Sequence, residues 1–215
     1  MTVRERSAAD GAYDAEYYAR GNNYRDRFDF RLANLWRAAY VLFTLKPRTV
    51  LDVGGGMGLL VEQLRAWGRG SLGLEFSHYA ITRAPEPVRR AFAQGSIVAL
   101  PFPDRAFDAV VSVNVLEHLE RDDVTLALRE CARVARFGLY HEITVLEDRG
   151  VIHRDPTHRT KLTAGKWLSL LADELPAWRP RRGPHVPYYK NGIFIARTYG
   201  SRVSRDALAL PSPGS

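Results

Sequence analysis

A single cysteine, Cys131, stands among 215 residues, so neither an internal disulfide nor a cysteine zinc cluster is available. No run of about 18 apolar residues occurs, which excludes a transmembrane helix. The start, MTVRERSAADGAYD, is charged and polar with no apolar stretch behind it, and no secretory signal is expected. A cytoplasmic protein is the simplest expectation. Lysine is scarce, confined to positions 46, 161, 166 and 190, and internal repeats are lacking. What is present is ordinary for a globular chain: 46% hydrophobic and 26% charged residues exclude wholesale disorder. The length fits one domain with a small appendage.

The net charge of +7 (31 basic against 24 acidic residues) allows an anionic partner such as nucleic acid. The arginines that carry it are scattered, and their densest cluster is Arg179, Arg181 and Arg182. Arginine bias beside abundant alanine also follows from genomic base composition, so charge does not decide the function.

Residues 13–45 hold no proline, and Phe28, Leu32, Leu35, Ala39 and Leu42 recur on one helical face, predicting one or two helices that Lys46-Pro47 ends. Then Thr49–Val53 reads as a strand, GGGMG as a turn, and Leu59–Trp67 as a helix. Further strands are expected at Ser71–Phe76, 94–97, Ala109–Val113, Gly138–Val145 and Gly192–Tyr199. Helices are expected at 78–93 (interrupted at Pro85 and Pro87), Val124–Ala135 and Thr163–Leu171, the last with Thr163 as N-cap. Residues 146–162 look like a long loop, and proline and arginine crowd 176–187. The alternation predicts a mostly parallel sheet covered on both faces, closed by late strands in an antiparallel hairpin. Residues 201–215 have little to bury, and disorder is expected there.

The strongest motif is VLDVGGGMG. Glycines 54, 56 and 58 let the backbone turn tightly and approach a ligand closely. A nicotinamide dinucleotide site asks for a third glycine at 59, which is leucine. Asp52, just before the glycines, would repel a pyrophosphate but can accept a hydrogen bond from a ligand ammonium. The spacing therefore favours a cationic, phosphate-free cofactor. Glu75 ends the next strand, 23 residues on, where an acid can take both ribose hydroxyls of an adenosine.

With GLEFS and GSIVALPFPDRAFDAVVSVNVLEHL following in order, residues 48–145 resemble the class I S-adenosylmethionine-dependent methyltransferases, small-molecule subgroup. The resemblance implies an α/β, Rossmann-like, seven-stranded sheet with helices on both faces, and S-adenosylmethionine as cofactor. It divides the chain into an N-terminal helical cap (1–47), the methyltransferase core (48–200) and the tail (201–215). It implies that Asp52 and the turn of Gly54, Gly55, Gly56 and Gly58 face the methionine part. Glu75 faces the ribose, Phe76, Ser96 and Ile97 border the adenine, and Asn114 lies near the sulfonium. Ser96 departs from the aspartate common at its place, which shifts adenine recognition toward weaker or backbone contacts.

Methyl transfer needs alignment first, and a base only if the nucleophile carries a removable proton. No Asn/Asp-Pro-Pro-Tyr element follows the fourth strand, which lowers an exocyclic amine of nucleic acid as target. His118 is either a base or a positioning residue. His153, Asp155 and His158 form a second candidate group: a histidine base with Asp155 holding its tautomer, or else a capping loop. A metal on these three is set aside, because spacing within a loop proves little. His141, mid-strand, is expected to be half buried. The tyrosines at 13, 17, 18 and 24 either cover the site or pack the first helix. The reading is a methyltransferase of secondary metabolism acting on a small molecule, most simply on oxygen. An RNA-modifying enzyme and a non-catalytic cofactor-binding partner are the rivals, and no membrane partner is expected.

Overall fold

The computed structural model describes residues 28–147, 155–185 and 192–198. Its first element is helix α1, Phe28–Leu45, followed by strand β1 at Thr49–Val53 and helix α2 at Leu59–Ala66. Strand β2 spans Gly70–Glu75, the short helices α3 and α4 span His78–Arg83 and Glu86–Arg89, and β3 spans Phe92–Gln94. After β4 at Phe107–Val113 come a 3-10 turn at Leu116–His118, helix α5 at Arg121–Val134 and β5 at Ala135–Ile143. Helix α6, Ala164–Glu174, precedes β6 at Trp178–Arg182 and β7 at Gly192–Thr198.

The seven strands form one sheet in the order β3-β2-β1-β4-β5-β7-β6. The first five pair in parallel, and β7 runs antiparallel between β5 and β6. The chain winds outward from β1 in both directions, so the order reverses between β1 and β4. In open α/β sheets ligands bind at the carboxyl ends of the strands where the order reverses in this way. Period-two alternation sorts the strands onto two cores. Leu51, Val110, Leu139 and Ile143 meet Leu128 of α5 and Trp167 of α6. Val50, Val111, Tyr140 and Ile195 meet α1 and α2 through Val41, Leu45, Leu60 and Leu64.

Several boundaries move from the expected places. The third strand sits at 92–94 rather than 94–97. The arginine-rich stretch supplies the edge strand β6, since an edge tolerates Pro180 and exposed charge on one side. Helix α1 ends where Lys46-Pro47 predicts, with Lys46 turned to φ 53°. Its buried face is not the one the apolar spacing suggests. Phe28, Leu32 and Leu35 are exposed, whereas Ala33, Asn34, Arg37, Ala38, Val41 and Leu45 are buried. The cause is ionic. Arg37 donates from Nε and Nη2 to the two oxygens of Glu142 on β5, both at 2.7 Å, and Tyr140 donates its hydroxyl to the same carboxylate at 3.0 Å. Both charged side chains are almost wholly buried. Docking that pair fixes the rotation of α1 about its axis and turns its bulkier stripe outward. Among the described residues no helix is long and apolar enough to cross a membrane.

Removing one partner of such a pair leaves a buried, uncompensated charge. Arg37→Met is expected to lower unfolding free energy by about 3–5 kcal/mol in urea titrations. Adding Glu142→Gln, which keeps an acceptor for Tyr140 but carries no charge, is expected to recover much of that loss. A double variant no more stable than Arg37→Met would show that packing, not charge, sets the cost.

Candidate cofactor and acceptor site

The glycine turn follows directly from β1. Gly54 sits at φ 72° and Gly58, the N-cap of α2, at φ 83°, a region costly for residues with a Cβ. Space forbids a side chain as well. A Cβ on Gly54 would lie 2.4 Å from Val115 Cγ2, and one on Gly58 would lie 2.6 Å from Val88 Cγ1. The N–H groups of Gly54 and Gly55 both donate to the Leu74 carbonyl, which ties the turn to β2. These contacts also press the turn against the segment that leaves β4.

Two carboxylates flank the turn. Glu75 accepts the Gly56 N–H at 2.8 Å and the Ser77 N–H at 2.9 Å, one on each oxygen. A carboxylate oxygen can accept more than one hydrogen bond. Asp52 is buried at the end of β1. Burial raises its pKa to about 7, repulsion from Glu75 adds to the shift, and Arg37 partly opposes it. A ligand cation beside Asp52 would favour its charged form and oppose that shift.

The remaining cofactor candidates lie along the same edge. Phe76 is half-buried, and its carbonyl accepts from Gln94 Nε2 at 3.1 Å. Ile97 is buried, while half-buried Ser96 accepts the Val98 N–H at 3.4 Å and bridges to Ala99. Asn114, exposed at the end of β4, takes φ 52° and donates its N–H to the Glu142 carbonyl at 2.8 Å. Asparagine tolerates that left-handed geometry better than most residues.

The two histidine candidates, 40 residues apart in sequence, come together. His118 and His158 meet edge to face with ring centroids 4.7 Å apart. Thr157 Oγ1 lies 2.8 Å from His118 Nδ1 and donates to Asp155 Oδ1 at 2.5 Å. His158 Nε2 lies 3.9 Å from Asp155 Oδ2. Burial lowers the pKa of His118 to about 4, and the neighbouring His158 adds to the shift. Burial pushes the Asp155 carboxyl up, but bonds from Thr157 and the nearby histidines outweigh it and leave a net lowering. His153 lies outside the described residues, as do the four tyrosines and the tail. His141 is fully buried rather than half-buried and bonds Ser112 Oγ through Nδ1 at 2.8 Å.

Sequence reasoning missed Glu117 and Thr157. Glu117 is buried completely, and its carbonyl accepts the N–H groups of both Arg159 and Thr160. Its Oε1 accepts the Thr144 N–H at 2.8 Å. Desolvation raises this carboxyl to about 7. The available signal was its place next to His118 in a turn that leaves a central strand.

Comparison with known proteins agrees with this geometry. A family described as "Methyltransferase domain" matches residues 51–139. The demethylmenaquinone methyltransferase of Roseiflexus sp. (strain RS-1) is 35% identical over 111 residues, covering 48% of this chain and 45% of the relative. A probable S-adenosylmethionine-dependent methyltransferase of Mycobacterium tuberculosis (strain ATCC 25618 / H37Rv) is 31% identical over 158 residues, covering 67% and 57%. The chain thus spans about half the length of these curated relatives. Magnesium protoporphyrin IX methyltransferase from Synechocystis PCC 6803, solved with S-adenosylmethionine bound, superposes with a TM-score of 0.68 at 16% identity. That match covers 92% of this chain and 98% of the other, and at such identity it speaks for the fold alone. By its match over residues 51–139 the chain carries a methyltransferase domain, set in an open, mostly parallel seven-stranded sheet.

Proposed function

We propose that this protein is an S-adenosylmethionine-dependent methyltransferase that acts on a hydroxyl of a small molecule. The observation that carries the reading is the pair of buried carboxylates, Asp52 and Glu75, on either side of the glycine turn. A ligand with an ammonium and a ribose diol, and with no phosphate, fits that charge. Asp52 would hold the ammonium and Glu75 the ribose hydroxyls. Phe76 and Ile97 would border the adenine, with Ser96 supplying a short polar contact, and Asn114 would lie by the sulfonium. The cofactor supplies an activated methyl group, and the chain's own task is to align an acceptor and exclude water. Residues 1–47 form the N-terminal cap in this reading and residues 48–200 the core. His118, Asp155 and His158 stand on the acceptor side, after β4 and β5.

A second reading rests on the edge strand, where Arg179, Arg181 and Arg182 are exposed. These could follow a phosphate backbone, which makes RNA the alternative acceptor. Purified protein given methyl-labelled cofactor and fractionated cell extract separates the two. Label in the small-molecule fraction is the expected result, whereas label lost on ribonuclease treatment would establish RNA.

Two binding measurements check the cofactor assignment. Glu75→Ala is expected to weaken S-adenosylhomocysteine binding by about 1.5–3 kcal/mol, or roughly 10- to 150-fold, the range for hydrogen bonds to a charged group. Unaltered affinity would remove Glu75 from the site. The second concerns protons. With its pKa raised to about 7 by burial, Asp52 is protonated in the free protein below that pH. A ligand ammonium favours the charged form, so binding must expel the proton. Calorimetry in buffers of different ionisation enthalpy is expected to show close to one proton released at about pH 6. The release fades as the pH rises past about 7 and is absent in Asp52→Asn.

A further inference from the structure

The Glu117 carboxylate is half satisfied. Oε1 accepts a backbone N–H, but Oε2 is buried without a hydrogen-bond partner among the described residues. A buried polar oxygen left so is costly, and native structures seldom keep one without reason. Beside it stand two imidazoles. One ligand atom each from Glu117, His118 and His158 can be chosen with all three within 4.8 Å of one another.

The surroundings hold this group in a set form. The Glu117 carbonyl takes two N–H groups of the returning loop, which brings His158 back over the turn. Thr157 gives its hydroxyl proton to Asp155, so the same oxygen can only accept from His118 Nδ1–H. That selects the tautomer whose lone pair is on Nε2. A carboxylate acting through an oriented donor onto a ligating histidine is the usual support around a bound metal. Metal bonds of about 2.0–2.2 Å place ligand atoms roughly 3–4 Å apart, so a small closing movement completes the shell.

We infer that Glu117, His118 and His158 form a binding site for one divalent transition ion, of the Mn²⁺ or Zn²⁺ type. Two imidazoles and a carboxylate suit such ions better than Ca²⁺, and three protein ligands leave positions open for an incoming molecule. This departs from the sequence expectation of no metal. The departure arises because the ligands come from two segments that only the fold unites.

The inference deepens the proposed function and rests on it for its substrate class. Val115, two residues before Glu117, abuts the glycine turn, so the ion borders that turn. The open positions suit an acceptor with two adjacent oxygens, such as a catechol, a vicinal diol or an α-hydroxy acid. The ion would orient the acceptor and lower the pKa of its hydroxyl. The reaction balances as one O–C bond formed and one S–C bond broken. The electron pair stays on sulfur, and the hydroxyl proton passes to water.

The test uses the tag-free full chain, stripped with a chelator and titrated with MnCl₂ or ZnCl₂ by calorimetry, with Mn²⁺ also followed by electron paramagnetic resonance. One ion per chain is expected. Glu117→Gln and His158→Ala should lose the site, and Thr157→Val should weaken it roughly 10- to 100-fold, as for other outer-shell partners. Circular dichroism and S-adenosylhomocysteine affinity report whether each variant is folded. A wild-type chain without a saturable site, or variants that bind as it does, overturns the inference. Ion binding without S-adenosylhomocysteine binding keeps the ion site and removes the methyltransferase reading, and the converse does the opposite. Labelling of an extract that a chelator leaves unchanged would overturn the acceptor-orienting role.

Discussion

Four carboxylates are buried along one edge of the sheet, and the way each is compensated organises the molecule. Asp52, Glu75, Glu117 and Glu142 lie at or just beyond the carboxyl ends of β1, β2, β4 and β5. A charge taken out of water must find a partner, bind a proton, or wait for a ligand. Glu142 has Arg37 and Tyr140, and Glu75 has two backbone N–H groups. Asp52 and Glu117 both hold a proton until about neutral pH, and Glu117 Oε2 has no hydrogen-bond partner among the described residues. The first two solutions build the scaffold, and the last two leave a demand that a ligand can meet.

This division assigns a role to α1 beyond covering the sheet. By sending Arg37 under the carboxyl edge, it neutralises Glu142 and reduces the repulsion that Asp52 experiences. Loss of that arginine would therefore be felt both in stability and in the charge state of Asp52. The structural and binding demands of the edge share one side chain.

The order of strands and helices was legible because the core strands are short apolar runs separated by helical periods. The glycine turn and its two flanking acids were legible too, since Asp52, the glycines and Glu75 are local to adjoining strand ends. The face of α1 was not. Apolar spacing marks the stripe of Phe28, Leu32 and Leu35, but an ion pair to a residue 105 positions away decides which stripe turns inward. The closing antiparallel hairpin was expected, but β6 could not be placed in it because an edge strand need not alternate apolar and polar residues. Glu117 escaped because a glutamate in a turn reads as exposed, and only the returning loop buries it.

The amino-acid sequence by itself determined the parallel α/β plan, the glycine turn and the two acids beside it. Each depends on residues within one strand–turn–helix unit. The tertiary structure alone decided the rotation of α1 and the meeting of Glu117 and His118 with Asp155, Thr157 and His158. Those outcomes depend on charge compensation and hydrogen bonds between segments far apart in the chain, which no local pattern encodes.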